Sequence, residues 1–332
     1  MIITGDIGGT KTNVALFETK GREIGETIAH KSFPSGSYPS LEAILEEFIA
    51  EHRPHLTHAC FGVAGPVIEG HAETPNLAWD VNSSDLVKAL KVKRASLIND
   101  LEAMAHGVVT LKSSQLHTLS EGDGTPRDGH RGLIAAGTGL GIAGIFWDGE
   151  RYRPIPSEGG HIDFAARTDI EAGLLQWLIE KVGGRVSYER VISGPGLFNV
   201  YSFLREQNPA AEPDWLAAEI SGDNNPSAAI SKAALENKSE LAAKALDIFV
   251  SVYGAMAGNL ALMLKATGGL YIGGGIAPKI LEKIKDGTFI RAFTDKGRLS
   301  PLLESIPVHV ILDDKTALYG AARCALDQDG AH

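Results

Sequence analysis

Ile2-Ile3-Thr4-Gly5-Asp6-Ile7-Gly8-Gly9-Thr10, followed by Asn13-Val14-Ala15-Leu16-Phe17, reads as an apolar strand, a Gly-rich turn and a second apolar strand. The same device returns as Leu133-Ile134-Ala135-Ala136, then Gly137-Thr138-Gly139-Leu140-Gly141, then Ile142 to Trp147 and an Asp148-Gly149 turn. Two copies of one strand–turn–strand unit imply two related lobes with a cleft between them. Outward from the first copy, Thr27 to Phe33 extends the sheet, and Ser40 caps a helix whose Leu41, Ile44, Leu45, Phe48 and Ile49 share a face. The strand Ala59 to Val63, a helix at 83–91, the strand Ala95 to Ile98 and a helix from Leu101 follow. Three antiparallel strands ahead of alternating units make a mixed sheet flanked by helices, so the expected class is α/β. Beyond the second copy, helices are expected at 169–182, 187–206, 239–267 and 277–286, with a closing helix from Ala317. Strands are expected at Leu270-Tyr271-Ile272 and Val308-His309-Val310-Ile311. The expected division is a small lobe, 1–108 with about 312–332, and a large lobe, 109–311, with the hinge near residue 108 and the last helix returning to the first lobe.

A chain of 332 residues is long for one compact core, in keeping with two lobes. Its 44% hydrophobic and 22% charged residues are those of a globular enzyme, and its 38 glycines cluster beside apolar runs, as in backbone-lined ligand loops. A net charge of −10 argues against a nucleic-acid partner, which needs clustered Lys and Arg, but leaves a nucleotide site open. Cys60 and Cys324 show no paired spacing, so neither a disulfide framework nor a zinc knuckle is expected. Met1 leads straight into the first strand without a basic segment and apolar signal core, which makes the cytoplasm the expected location. Ile248 to Leu264 carries no charge but falls short of the roughly 20 residues of a membrane span. Its Gly254-x-x-x-Gly258 step suits close packing in a buried helix, so no membrane partner is expected.

A third Gly-rich turn, Gly273-Gly274-Gly275, follows Ile272. Such turns bring backbone N–H groups close to an anion. Gly8-Gly9-Thr10-Lys11-Thr12 is not a Walker loop, because Thr10 precedes the Lys and a strand follows. Gly139-x-Gly141-x-x-Gly144 is not a dinucleotide fingerprint, because Ile145-Phe146-Trp147 continues as strand. Nor does a kinase His-Arg-Asp or Asp-Phe-Gly follow, and Ser193 lacks the Gly two residues ahead that a nucleophile elbow needs. What remains is a pair of hairpin loops gripping phosphates from opposite lobes, with the third turn at the nucleoside. Asp6 among phosphate-binding amides suits a Mg²⁺ ion bridging the phosphates, its alternative being a carboxylate that satisfies its own turn.

Asn99-Asp100 sits at the carboxyl end of a strand, where open α/β sheets place ligands. Asp100 is either the cap of the helix it precedes or a general base for an attacking hydroxyl. Glu158-Gly159-Gly160-His161 aims a carboxylate and an imidazole from one turn, suited to a polyol, or else is a surface turn with unrelated polar groups. His52, His55 and His58 recur every three residues, but Pro54 prevents a shared helix face and a metal site there.

Seven segments in order resemble the bacterial glucokinase family of the hexokinase, actin and Hsp-chaperone ATPase superfamily. They are Gly5 to Thr10, Pro75 to Trp79, Ile98-Asn99-Asp100, Ala136 to Gly141, Glu158 to Phe164, Glu189 to Gly196 and Ile272 to Ile276. The resemblance implies a two-lobed actin-like (ribonuclease H-like) fold with the active site in the interlobe cleft, and ATP- and Mg²⁺-dependent phosphorylation of glucose. It implies that Asp100 is the catalytic base and that Asn99, Glu158, His161 and Glu189 bind glucose, with Asn76 near the sugar. The loops Gly8-Gly9-Thr10, Gly137-Thr138-Gly139 and Gly273-Gly274-Gly275 would embrace ATP, and Asp6 would organise Mg²⁺. A homodimer whose lobes close on sugar is likewise implied. No Cys stands near His161, which favours the zinc-free group over the zinc-bearing repressor–kinases. Rival readings are a kinase for mannose, fructose or an N-acetylated sugar, and a sugar sensor, for whose DNA-binding helices Met1 to Gly5 leave no room.

Overall fold

The computed structural model describes residues 1–327 except Arg22, Pro75, Asn76, Ala78, Pro126, Arg127, Asp223 and Asn224. The chain divides into two units: Met1–Lys112 with Arg153–Pro156 and Asp313–His332, and Ser113–Tyr152 with Ser157–Leu312.

In the first unit, β1 (Ile2–Ile7), β2 (Lys11–Lys20) and β3 (Glu23–Pro34) form an antiparallel meander. After α1 (Leu41–His52) comes β4 (His58–Val63), parallel to β1. The hairpin β5 (His71–Thr74) and β6 (Trp79–Asn82), then α2 (Ser83–Leu90), lead to β7 (Arg94–Asn99) and α3 (Asp100–Val108). The sheet order is β3-β2-β1-β4-β7. Alternation along β1 sends neighbouring side chains to opposite faces. Ile3 and Ile7 join the core under α1 and α2, while Ile2 joins Cys60, Ile98 and Ala103 on the other face.

The second unit begins with β8 (Leu116–Ser120), β9 (Arg131–Ala136), β10 (Leu140–Trp147) and β11 (Tyr152–Ser157). Its helices are α4 (Asp169–Val182), α5 (Gly194–Gln207), α6 (Asp214–Gly222), α7 (Pro226–Leu235) and α8 (Glu240–Leu264). Then follow β12 (Leu270–Gly273), α9 (Leu281–Ile284), α10 (Thr288–Thr294), α11 (Ser300–Glu304) and β13 (Val308–Ile311). The sheet runs β11-β10-β9-β12-β13-β8. Its large core surrounds α8, the long apolar helix, whose residues Ile248 to Ala261 are mostly buried. The glycine step on α8 admits α10: a Cβ on Gly254 would stand 2.2 Å from the Phe289 carbonyl oxygen, and one on Gly258 2.4 Å from that of Phe293.

Two expected helices differ. The segment 187–206 starts with a 3-10 turn at Tyr188–Arg190, and the α-helix begins only at Gly194, capped by Ser193 with Pro195 in its first turn. A Cβ on Gly196 would lie 2.5 Å from the Val191 carbonyl, so the chain folds back there instead of continuing as helix. The segment 277–286 is a run of turns with one helical turn, α9.

The closing helix α12 (Thr316–Asp327) packs on α3, β1 and β4 of the first unit. It approaches α3 so closely that a Cβ on Gly320 would be 1.7 Å from the Ala103 carbonyl oxygen. Cys324 thereby meets Cys60, whose thiol is pushed well up by their hydrogen bond and by burial. Gly320→Ala must separate the two helices and should destabilise the fold by about 3 kcal/mol, as overpacking of a filled core does. Urea denaturation followed by circular dichroism checks this, with Gly36→Ala, which meets no atom within 4 Å, as the silent control.

Candidate functional site

The first unit gathers its candidate groups at the carboxyl ends of three parallel strands. Ile7 of β1 pairs with Val63 of β4, and Val63 with Asn99 of β7, so the three strand ends are level. Asp6 stands at the end of β1, and Gly8-Gly9-Thr10 is the tight turn into β2, closed by Gly8 N–H donating to Lys11 O at 3.0 Å. Asn13 Nδ2 donates to Asp6 Oδ2 at 3.4 Å. Burial raises the Asp6 carboxyl above its ordinary value, and Asn13 and Lys11 offset this only in part. A desolvated carboxylate beside exposed turn amides suits a cation that its charge would hold.

Sequence reading missed the brace behind this turn. Ser35, fully buried, donates from Oγ to Gly8 O at 2.8 Å, shares a 2.9 Å bond with Thr12 Oγ1, and its N–H reaches Thr10 O. It fixes the carbonyls inward, which leaves the turn's remaining backbone to face outward. A single Ser after Phe33-Pro34 carries no signal of this in sequence.

Of the two readings of Asp100, the cap falls to its neighbour. Asn99 is the N-cap of α3, its Oδ1 accepting from Leu101 N–H at 2.9 Å, while its Nδ2 donates to Gly65 O at 2.9 Å. Asp100 occupies the first helical position, where its Oδ1 accepts from the same Leu101 N–H at 2.8 Å. Both ends of the Asn99 amide are thus engaged with backbone, which fixes the start of α3 and the loop after β4. Asn76 lies outside the described residues.

In the second unit, the 137–139 turn joins β9 to β10, and other segments hold it. Gly194 N–H, at the start of α5, donates to Gly137 O at 2.8 Å, and Glu189 Oε2 accepts from Leu140 N–H at 3.0 Å. Gly139 must lack a side chain for this, because its Cβ would come within 2.6 Å of Glu189 Oε2. Glu189 itself sits on the 3-10 turn before α5, where Ser193 Oγ donates to its carbonyl at 2.7 Å. Glu158 bridges to Ile142 of β10 and opens the 3-10 turn Gly159–His161. Gly160 is obligatory there, its Cβ position being 1.8 Å from Leu140 O. Arg185, which sequence reading did not single out, donates from Nη1 to His161 O at 2.6 Å and to Asp163 Oδ1 at 2.7 Å. Glu158, His161 and Glu189 are therefore assembled on turns that pack against β10 and its entry.

The 273–275 turn ends β12, whose Gly273 pairs with Ala135 of β9. Gly274 has φ +82, and a Cβ there would be 2.3 Å from Ala136 O, so this turn lies directly against the 137–139 turn. Positive φ requires glycine at 274 alone among these loop positions; at 8 and 139 the need is for space, a Cβ there coming within 3.1 Å of Lys11 O and 2.6 Å of Glu189 Oε2, while a Cβ on Gly137 would meet nothing within 4 Å. Among the described residues no cluster of three or more His, Cys, Asp and Glu could hold a metal by itself.

Glu189→Ala leaves the Leu140 N–H without its acceptor and the 137–139 turn unsupported. An N–H bonded to a carboxylate contributes about 1.5–3 kcal/mol, so kcat/KM should fall about 10- to 100-fold. Glu189→Gln keeps an acceptor oxygen and should fall less. Steady-state kinetics with each substrate varied in turn check this.

A family model described as glucokinase matches residues 3–328. The glucokinase of Nostoc punctiforme is 43% identical over 98% of both chains. The crystal structure of a glucokinase from an Antarctic psychrotroph superposes with a TM-score of 0.84 at 31% identity, covering 98% of each chain. That of Balamuthia mandrillaris glucokinase in complex with glucose gives 0.77 at 21% identity over 98% of this chain and 93% of its own, a likeness of fold.

Proposed function

This chain belongs to the glucokinase family and is an ATP:D-glucose 6-phosphotransferase, and we propose that Asp100 is the base that drives the transfer. The observation that carries the assignment is Asp100 at the first turn of α3, at the level carboxyl ends of β1, β4 and β7, in the unit that also presents Asp6 and the 8–10 turn. A sugar hydroxyl is a weak nucleophile, and a carboxylate that accepts its proton as the phosphoryl group arrives lowers the barrier. Asp100 Oδ1 is anchored to the helix start, which aims the carboxylate.

Glu158, His161 and Glu189 orient glucose through its hydroxyls, each carboxylate accepting and the imidazole donating or accepting as its tautomer allows. Asn99 adds its second amide hydrogen, and the Asn76 segment completes the sugar side. The Gly8 and Gly137 N–H groups close their own turns, so it is the rest of the backbone of Gly8-Gly9-Thr10 and of Gly137-Thr138-Gly139 that faces the ATP phosphates, and Gly273-Gly274-Gly275 the nucleoside. Asp6 is the side chain that would hold Mg²⁺, which when bound neutralises phosphate charge. Glu189 has a double part: the carboxylate that would hold sugar already holds the Leu140 amide of the phosphate-side turn. Occupancy of the sugar position is thus felt by the turn that carries phosphate.

A homodimer in the cytoplasm completes this reading, on the family resemblance alone; light scattering of the purified chain tests the first part. The reaction itself is tested by ADP release from Mg·ATP against glucose, mannose, fructose and N-acetylglucosamine. Glucose should give the highest kcat/KM; a clear preference for another sugar would reassign the substrate.

A further inference from the structure

Arg131 opens β9 at the end opposite the 137–139 turn, about 17 Å away at 3.3 Å per residue. Its guanidinium carbon lies 3.9 Å from the centre of the Tyr152 ring and 5.6 Å from that of Tyr271. Tyr152 leans on Trp147 at 4.7 Å and Tyr271 on His309 at 5.2 Å, so the cation rests in an aromatic frame. Aromatic faces attract a guanidinium but accept none of its hydrogen bonds along the planar fork. Among the described residues no carboxylate, carbonyl or hydroxyl accepts from it, and its Nε is fully buried without a partner. The sealed Nε is closed to any ligand, so it is the remaining edge of the guanidinium, where Arg131 lines a cavity, that matches the oxygens of a phosphate or carboxylate.

A cavity of about 360 Å³ opens beside it, lined by Thr125, Asp128, Arg131, Tyr152, Thr267 and Pro307. Close glycine packing shapes its wall: a Cβ on Gly129 would be 2.2 Å from Thr267 Oγ1, and one on Gly268 2.2 Å from Gly129 O. Its volume falls within the range of about 300–1,000 Å³ usual for small-molecule sites and exceeds what a bare inorganic ion fills. Among the described residues the lining carries one cation and one carboxylate. A lone anion would gain from Arg131 and lose to Asp128, whereas a ligand with an anionic end and a hydroxylated end satisfies both.

We propose that this cavity binds a small polyol phosphomonoester, with its phosphate on the Arg131 guanidinium and its hydroxyls on Asp128, Thr125 and Thr267. The site is distinct from the sugar and phosphate turns, which lie at the other end of the same strand.

The test is titration calorimetry of glycerol 3-phosphate and sorbitol 6-phosphate into the full chain, held saturated with glucose and a non-hydrolysable ATP analogue so that the reaction's own subsites are filled. One saturable site is expected, with inorganic phosphate at least about tenfold weaker. Arg131→Met should weaken both phosphomonoesters at least about tenfold while glucose phosphorylation without them stays near the wild-type rate. Asp128 is exposed, so Asp128→Asn leaves the fold alone. It should tighten inorganic phosphate and shrink the preference for the polyol esters. No saturable binding of either ester, unchanged binding in Arg131→Met, or an unchanged preference in Asp128→Asn overturns the site. If Arg131→Met does not fold, the Asp128→Asn arm decides alone.

Discussion

Asp100→Asn is expected to lower kcat about 10³-fold and to leave glucose affinity close to wild type. The amide is the same size as the carboxylate and keeps an oxygen for the Leu101 N–H that Asp100 Oδ1 now accepts at 2.8 Å. The first turn of α3, capped by Asn99, therefore holds its shape, and the proposed sugar-binding residues of the second unit are untouched. What disappears is the ability to take a proton as the hydroxyl attacks. Glu102, two residues on, provides the control: burial raises its carboxyl above the ordinary value, but it lies within the helix and not at the strand ends. Glu102→Gln should turn over normally. Rapid-quench kinetics and glucose titration monitored by Trp fluorescence separate the two effects. An Asp100→Asn rate near that of wild type would move the base elsewhere.

Asp6→Asn is expected to act in opposite directions on activity and stability. Activity should fall by about 10²- to 10³-fold, the usual loss when one electrostatic stabiliser of a developing charge is removed. Stability at neutral pH should rise. Burial lifts the folded-state value of this carboxyl above its unfolded one, so the group costs stability once pH is above its unfolded value. That cost vanishes as pH falls through the raised folded value, where the native chain takes up the proton before the unfolded chain does. The melting temperature of Asp6→Asn should therefore exceed that of wild type at pH 7, with the gap closing as pH is lowered. Saturating Mg·ATP should close the gap from the other side, by stabilising wild type alone. A variant less stable than wild type at every pH would mean that Asp6 is structural.

The residues of this proposed chemistry are largely legible in sequence because their backbone requirements write themselves as composition. A turn that must expose amides to phosphate, or pass within contact of another strand, excludes side chains, and so Gly8-Gly9, Gly137, Gly139 and Gly273 to Gly275 stand out beside apolar strands. The carboxylates are legible because Asn99-Asp100 follows an apolar strand directly and Glu158 opens the Gly159-Gly160 turn. The partners of these groups are not legible. Ser35 reaches back from the end of β3 to Gly8, and Glu189 reaches the Leu140 amide across a long loop; each pairing depends on where distant segments come to rest. The same holds for Cys60 and Cys324, which lack any sequence spacing and yet meet when α12 docks on β4. The helix α7 was missed because its apolar positions are mostly Ala, which gives a weak periodic signal, α6 because its nine residues bury only Leu216 and Ile220, and the start of α5 was misjudged because Ser193-Gly194-Pro195 is a capping signal inside an otherwise helical pattern.

The most direct test of the account follows ADP and glucose 6-phosphate together in one reaction of purified chain, Mg·ATP and glucose, with Asp100→Asn in parallel. The account predicts equal amounts of the two products, phosphate on the 6-hydroxyl by ³¹P NMR, and both signals lost together in the variant. ADP without sugar phosphate, phosphate on another hydroxyl, or full turnover by Asp100→Asn would contradict it.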